Sequence, residues 1–252
     1  MTFDHYAKYY DLLYMDKDYE GEVNYIHSLI QRFSKNEVKT IFDIGCGTGT
    51  HARYFSEKGY SVTGIDFSEK MIEEAKKRNI PNAEFLVKNI VDEFHLNKQV
   101  NVVTCLFHVL SYQNENRQVI QLMNNVAEHL TEDGIFIFDF WYTPAVLTER
   151  PSVKIKRFED KDVKITRIAE PVLKINENIV DVNYELFVKE KTTGELATIK
   201  EVHPMRYFSL PEVEQYLAFA GLKLLYSAEW MTEQIPSDKT WGVCCVAVKR
   251  KV

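Results

Sequence analysis

Seven residues, Asp43-Ile44-Gly45-Cys46-Gly47-Thr48-Gly49, complete a short apolar run of strand type, Lys39 to Ile44, and lead straight into a helical stretch, Thr50 to Lys58. Glycines at alternate positions let the backbone approach a ligand closely and take conformations that a Cβ forbids. A strand that turns through such a loop into a helix is the start of a βαβ unit. At the carboxyl edge of a parallel sheet that loop is where open α/β folds bind ligands.

The rest of the chain repeats the alternation. Ser61–Asp66, Ala83–Lys88, Val100–Leu106 and Ile135–Phe140 read as strands. A helix capped by Ser68 buries Met71, Ile72 and Ala75, and a second helix spans roughly Arg117–Leu130. Asp133-Gly134 reads as a turn. From about Pro151 to Phe208 the period changes to two, as in Val163-Lys164-Ile165 and Val180-Asp181-Val182-Asn183-Tyr184, with a hairpin turn at Thr192-Thr193-Gly194-Glu195. A helix, Glu212–Ala220, and two strands, Leu222–Tyr226 and Trp241–Val248, complete the chain. The expected fold is α/β and Rossmann-like: a seven-stranded mixed sheet with helices on both faces and an inserted antiparallel β-sheet. Residues 1–36 form an N-terminal helical lid, 37–150 and 209–252 the core, and 151–208 the insertion.

The formal net charge of −6 and the lack of a long Lys/Arg run argue against a nucleic-acid partner, which needs a basic face. The cysteines Cys46, Cys105, Cys244 and Cys245 form no C-x-x-C pair, so metal ligation and a disulfide framework are poorly supported. No apolar run is long enough to cross a membrane, and a cytoplasmic location follows by default.

A dinucleotide site would ask for G-x-G-x-x-G, and here the third glycine comes too early. The acid Asp66 at the end of the second strand suits a ribose diol in either cofactor. The combination of Asp43-x-Gly45-x-Gly47-x-Gly49, Asp66 and the helix opening Phe67-Ser68-Glu69-Lys70-Met71 resembles the class I S-adenosylmethionine-dependent methyltransferases over residues 38–140 and the last two strands. The resemblance implies S-adenosylmethionine as cofactor. It sets Gly45, Cys46 and Gly47 against the methionine portion, Asp66 on the ribose hydroxyls, and Phe67 and Met71 beside the adenine. Asn89 and Ile90 follow the third strand where the family often has an acid for the adenine amino group, with Asp92 as the substitute. Leu106 and Phe107 border the cofactor after the fourth strand.

The N-terminal segment Tyr6-Ala7-Lys8-Tyr9-Tyr10-Asp11-Leu12-Leu13-Tyr14 and Lys17-Asp18-Tyr19 is similar to the lid of bacterial small-molecule N-methyltransferases, in particular those that dimethylate the amine of nucleotide-linked deoxy-aminosugars. His203-Pro204-Met205-Arg206-Tyr207-Phe208 resembles the end of their β insertion. That likeness implies a small-molecule acceptor and is compatible with a homodimer. It sets Tyr14 near the transferred methyl and Tyr19 at the amino-acid end of the cofactor. His108, at the carboxyl edge of the fourth strand, is placed to accept a proton. Tyr112, Trp141, Tyr142, His203 and Arg206 are the candidate acceptor contacts, Arg206 for its fit to phosphate. Each of these residues also has a packing reading. A methyltransferase of another O-, C- or N-nucleophile, a non-catalytic S-adenosylmethionine-binding module and a nicotinamide-dependent enzyme stay open beside the leading one.

Overall fold

The computed structural model describes residues 7–92, 94–96 and 98–249; the part of the expected lid at residues 1–6 lies outside them. A 3-10 turn leads into α1 (Tyr10–Leu13), and α2 (Tyr19–Phe33) follows. Asp18 caps α2 by accepting from Gly21 N at 2.9 Å. Val23, Ile26, Leu29 and Ile30 form its buried stripe.

The core then alternates: β1 (Thr40–Ile44), α3 (Thr50–Glu57), β2 (Ser61–Asp66), α4 (Glu69–Lys77), β3 (Ala83–Val87), β4 (Val100–Cys105), α5 (Asn116–His129) and β5 (Leu130–Tyr142). After α6 (Thr143–Thr148) come the four long strands β6 (Lys154–Glu159), β7 (Val163–Lys174), β8 (Ile179–Glu190) and β9 (Leu196–Phe208). The chain closes with α7 (Leu210–Phe219), β10 (Leu222–Glu229) and β11 (Gly242–Lys249). Among the described residues no helix is long and apolar enough to cross a membrane.

The core strands stand in the order β3-β2-β1-β4-β5-β11-β10. The first five are parallel, while β11 runs antiparallel to β5, and β10 to β11. This is the expected seven-stranded mixed sheet. Beyond it the sheet is larger, because β9 pairs with β5 through Trp141↔Tyr207 and Tyr142↔Phe208. The antiparallel strands β9-β8-β7-β6 thereby continue the path β3-β2-β1-β4-β5, and β11 and β10 branch from β5 to complete an eleven-stranded sheet.

Asp133-Gly134 does not form a turn ahead of the fifth strand. Asp133 sits at φ 60° inside β5, and the pairing with β4 shifts register between Val100 and Val102. A step of five residues in β5, Leu130 to Ile135, is set against a step of two in β4, so the strand is irregular here, and Asp133 adopts left-handed backbone more readily than most residues.

Two apolar layers cover the sheet. One packs α5 and α7 residues such as Val119, Met123 and Leu217 against Phe136, Phe138 and Phe140. The other packs α2, α3 and α4 residues such as Ile26, Phe55 and Ile72 against Ile41, Val102 and Ile137. Smaller clusters lie under the long strands, joining Leu13 of α1 to Ile165 and Leu186, and Val146 of α6 to Val180 and Met205.

Candidate functional site

The glycine loop is shaped by two different needs. Gly45 has φ 69°, and a Cβ there would lie 2.5 Å from Val109 Cγ2. Gly47 has φ 54° and nothing within 4 Å of a would-be Cβ, so its bare backbone faces open space. Asp43, one residue before the end of β1, accepts from Thr104 Oγ1 at 2.7 Å and ties β1 to β4. Its burial raises the carboxyl above the usual range. Asp66 Oδ2 accepts from Gly47 N at 3.1 Å, and Oδ1 from Ser68 N at 2.9 Å. Burial pushes its carboxyl up to about 6, against the pull of those two backbone donors. Burial pushes the Cys46 thiol up, away from the reactive thiolate form.

The loop opens into a chamber of about 310 Å³. Tyr10, Tyr14 and Tyr19 line it from the N-terminal segment, and Gly45, Cys46, Gly47 and Thr48 form its floor. Asp66, Phe67, Met71, Asn89, Ile90, Leu106, Phe107 and His108 follow along the carboxyl ends of β2, β3 and β4. Asn89 reaches the chamber and its substitute Asp92 does not. Tyr112 and Trp141 also line it. Tyr14 meets Phe107 edge to face at 5.0 Å between ring centroids.

Three of the acceptor contacts expected from sequence lie elsewhere. Tyr142 follows Trp141 on a strand, so it points to the opposite face and packs on the Phe140 and Phe208 side. Arg206 turns toward α7, where its Nη2 donates to Glu212 Oε1 at 2.6 Å and to Tyr216 OH at 3.1 Å. His203 sits behind the wall. Its Nδ1 lies 2.8 Å from Tyr112 OH and its Nε2 3.1 Å from Glu201 Oε2.

Other residues take their places. Arg167, Tyr184 and Met205 line the chamber from β7, β8 and β9. Arg167 is 8% exposed, and its guanidinium lies 5.5 Å from the Tyr14 ring and 5.3 Å from that of Tyr184. The buried face of β7 continues Val163, Ile165, Arg167 by the period of two, a signal that extending the alternation by one step would have reached.

Beside the chamber the N-terminal segment carries a buried charge cluster. Lys17 contacts Glu22, and Glu22 Oε2 lies 2.7 Å from His51 Nε2. Burial would raise Glu22, but the hydrogen bonds and charges of His51 and Lys17 outweigh it and hold the carboxyl below its usual value. Burial lowers Lys17, with Glu22 opposing. The Lys17 ammonium also stands 4.1 Å from the Tyr19 ring and 4.5 Å from that of Phe107.

An adenosyl group with a charged tail fits these residues. A carboxylate at the end of β2 can take two hydroxyls, Gly47 leaves backbone bare where a Cβ would fill the cradle, and Phe67, Met71, Ile90 and Leu106 supply an apolar rim.

Residues 41–134 match the methyltransferase-domain family. The chain is 27% identical over 226 residues to the dTDP-3-amino-3,4,6-trideoxy-alpha-D-glucopyranose N,N-dimethyltransferase of Streptomyces venezuelae, covering 88% of this chain and 92% of the relative. It is 26% identical over 220 residues to the dTDP-3-amino-3,6-dideoxy-alpha-D-glucopyranose N,N-dimethyltransferase of Streptomyces fradiae, covering 86% and 84%. The crystal structure of an S-adenosylmethionine-dependent methyltransferase from Clostridium acetobutylicum superposes with a TM-score of 0.82 at 19% identity, over 98% of this chain and 99% of the other, which shows the shared fold. Glycine loop, strand order and matched domain agree, and the chain carries a methyltransferase domain of the S-adenosylmethionine-dependent, Rossmann-like class.

Proposed function

We propose that the protein methylates the amine of a nucleotide-linked aminosugar. The observation that carries this reading is the continuity of the chamber from Asp66 and the glycine loop, past Tyr14 and His108, to Arg167 and Tyr184 on the long antiparallel strands. One end suits the cofactor, and the other offers a cation and aromatic faces to an anionic sugar derivative. The two dimethyltransferase relatives support the same acceptor class.

In this reading residues 1–36 act as a lid, 37–150 and 209–252 as the cofactor-binding core, and 151–208 as the acceptor wall. Asp66 holds the ribose hydroxyls, Gly45, Cys46 and Gly47 receive the methionine portion, and Tyr19 closes over it. Phe67, Met71, Asn89 and Ile90 frame the adenine, and Leu106 and Phe107 the middle. The cofactor supplies the methyl group, as a sulfonium already electrophilic. The chain's task is to align the amine and exclude water, which the aromatic enclosure of Tyr14, Phe107 and Trp141 serves. Tyr14 orients the amine, Tyr112 contacts the sugar, Arg167 takes a phosphate, and His108 accepts the amine proton.

The test is direct. The protein is incubated with S-adenosylmethionine and a dTDP-linked 3-amino-deoxysugar, and the acceptor is examined by mass spectrometry. One or two added methyl groups support the reading. No product from a protein that binds the cofactor removes this acceptor.

A further inference from the structure

β4 ends in an uncommon turn. Phe107 and His108 both have φ 63°, a left-handed conformation rarely held by two successive residues with side chains. Such backbone persists where its surroundings over-determine it. Here the surroundings are Asp139 on the neighbouring β5. The backbone N–H of His108 donates to both carboxylate oxygens of Asp139, each at 3.1 Å. The imidazole then folds back onto the same carboxylate, with Nδ1 2.6 Å from Oδ2. This second approach is close in distance and bent in angle, and Nδ1 has no straight hydrogen bond. Asp139 is therefore the group that can hold a proton on that nitrogen. Its side chain is 1% exposed and that of His108 26%, so the open part of the ring lies away from Asp139.

His108 also stands on a partition. It lines the methyl-transfer chamber and, with Tyr14 and Phe107, a second cavity of about 370 Å³ that reaches Lys17, Lys156 and Trp230. Water admitted by the second cavity can take a proton from the same open part of the ring that received it, while the Asp139 side keeps its own.

We propose that Asp139 is the positioning residue of this site: it fixes the turn and the Nδ1–H of His108, which keeps Nε2 bare toward the acceptor and leaves the Nε2 proton as the one given up to water. The proposal rests on the amine reading. An acceptor amine at neutral pH is mostly an ammonium, without a lone pair. Its N–H proton passes to His108 Nε2, and the bonding electrons stay on nitrogen as the lone pair that attacks. The imidazolium, its Nδ1–H kept by the Asp139 carboxylate, returns the Nε2 proton to water, which restores the starting tautomer. Each methyl added to an ammonium thus releases one proton. Besides Asp139, the ionisable groups around the second cavity are Tyr14, Asp16, Lys17, Glu22 and Lys156.

The experiment uses the full chain, labelled with 15N-histidine and free of acceptor. The ring nitrogens of His108 are observed by NMR at a pH where the ring is neutral, and assigned by the signals lost in His108→Gln. The expected result is the Nδ1–H tautomer in the wild type, lost in Asp139→Asn and kept in Asp139→Glu. A dominant Nε2–H tautomer in the wild type overturns the proposal, whether or not the variants fold. So does an unchanged tautomer in a folded Asp139→Asn. With a dTDP-linked aminosugar as acceptor, Asp139→Asn is expected to lower kcat by about 10- to 100-fold. The loss shrinks as rising pH deprotonates the amine, and the affinity for S-adenosylmethionine stays unchanged. A loss equal at every pH makes Asp139 a packing residue and overturns the proposal. The NMR result needs no acceptor, so an error in the acceptor class leaves it standing.

Discussion

Thr48 Oγ1 donates to Asp11 Oδ1 at 2.7 Å, which ties α1 to the glycine loop. Arg78 holds the other oxygen of Asp11 from the end of α4. One carboxylate thus joins the N-terminal segment, the loop and a core helix. Asp11 is half exposed, so the tie is modest. Asp11→Ala is expected to weaken S-adenosylmethionine binding by about three- to tenfold, chiefly through faster dissociation. Stopped-flow measurement of cofactor release checks this; an unchanged dissociation rate detaches the segment from cofactor exchange.

Asp66 gives a pH dependence. Ribose hydroxyls donate to a carboxylate, and this carboxyl protonates near 6. Cofactor affinity is expected to fall about tenfold for each pH unit below that value. Asp66→Asn should bind weakly at every pH, with a flat profile in calorimetric titration. Stability in the absence of cofactor moves the other way. A carboxyl raised from 3.8 to about 6 opposes folding once it must ionise, so the cost is absent below the lower value, grows across the window and is complete above it. Near neutral pH, Asp66→Asn is therefore expected to raise unfolding free energy by about 1–2 kcal/mol, less than the full shift because the chamber admits water. Equal denaturation midpoints for the two proteins near neutral pH would contradict it.

Glu22 titrates in the opposite sense. Its carboxyl lies below the usual 4.5, so it contributes stability above that value and loses it as pH falls through its folded value. Glu22→Gln leaves Lys17 buried without its counter-charge and is expected to cost about 3 kcal/mol near neutral pH. Urea denaturation should show that difference narrowing as pH drops below the usual 4.5 and Glu22 takes up its proton. A difference that persists undiminished in acid would assign the loss to packing.

Gly45 and Gly47 predict a contrast. Alanine at Gly45 meets Val109 and should lower stability by about 2 kcal/mol or more. Alanine at Gly47 meets no protein atom and should cost only about 1 kcal/mol, from its positive φ. Its methyl group projects where the cofactor would lie, so affinity should drop at least about tenfold. Thermal unfolding and calorimetry on both variants separate the two effects.

Arg167→Gln is expected to raise KM for a dTDP-linked acceptor by about 10- to 100-fold, with cofactor affinity retained. An unchanged KM would remove Arg167 from the acceptor site.

What could be read in the sequence was local. Gly45, Gly47, Asp66 and Met71 are fixed by a strand, a turn and a cap within thirty residues of one another, and the chamber gathers them together. Glu22 gave no signal, because its partner His51 lies on another helix and its burial is decided by that packing. The acceptor wall was harder. Whether Trp141 or Tyr142 faces it depends on which side of β5 looks inward, and that is decided by strands far away in the chain. The same alternation turns Arg206 away from the chamber toward α7 and puts Met205 in it. Asp139 gave no signal, because its partner His108 lies across a strand pair rather than along the chain.

The Trp141↔Tyr207 and Tyr142↔Phe208 pairings have a consequence for recombination among such enzymes. These two rungs are where the long antiparallel strands join β5 and so the core sheet. A chimera that exchanges residues 151–208 must arrive in phase at these two rungs. A one-residue offset would invert every side chain behind the seam and present the recipient's cofactor with the wrong face of the graft.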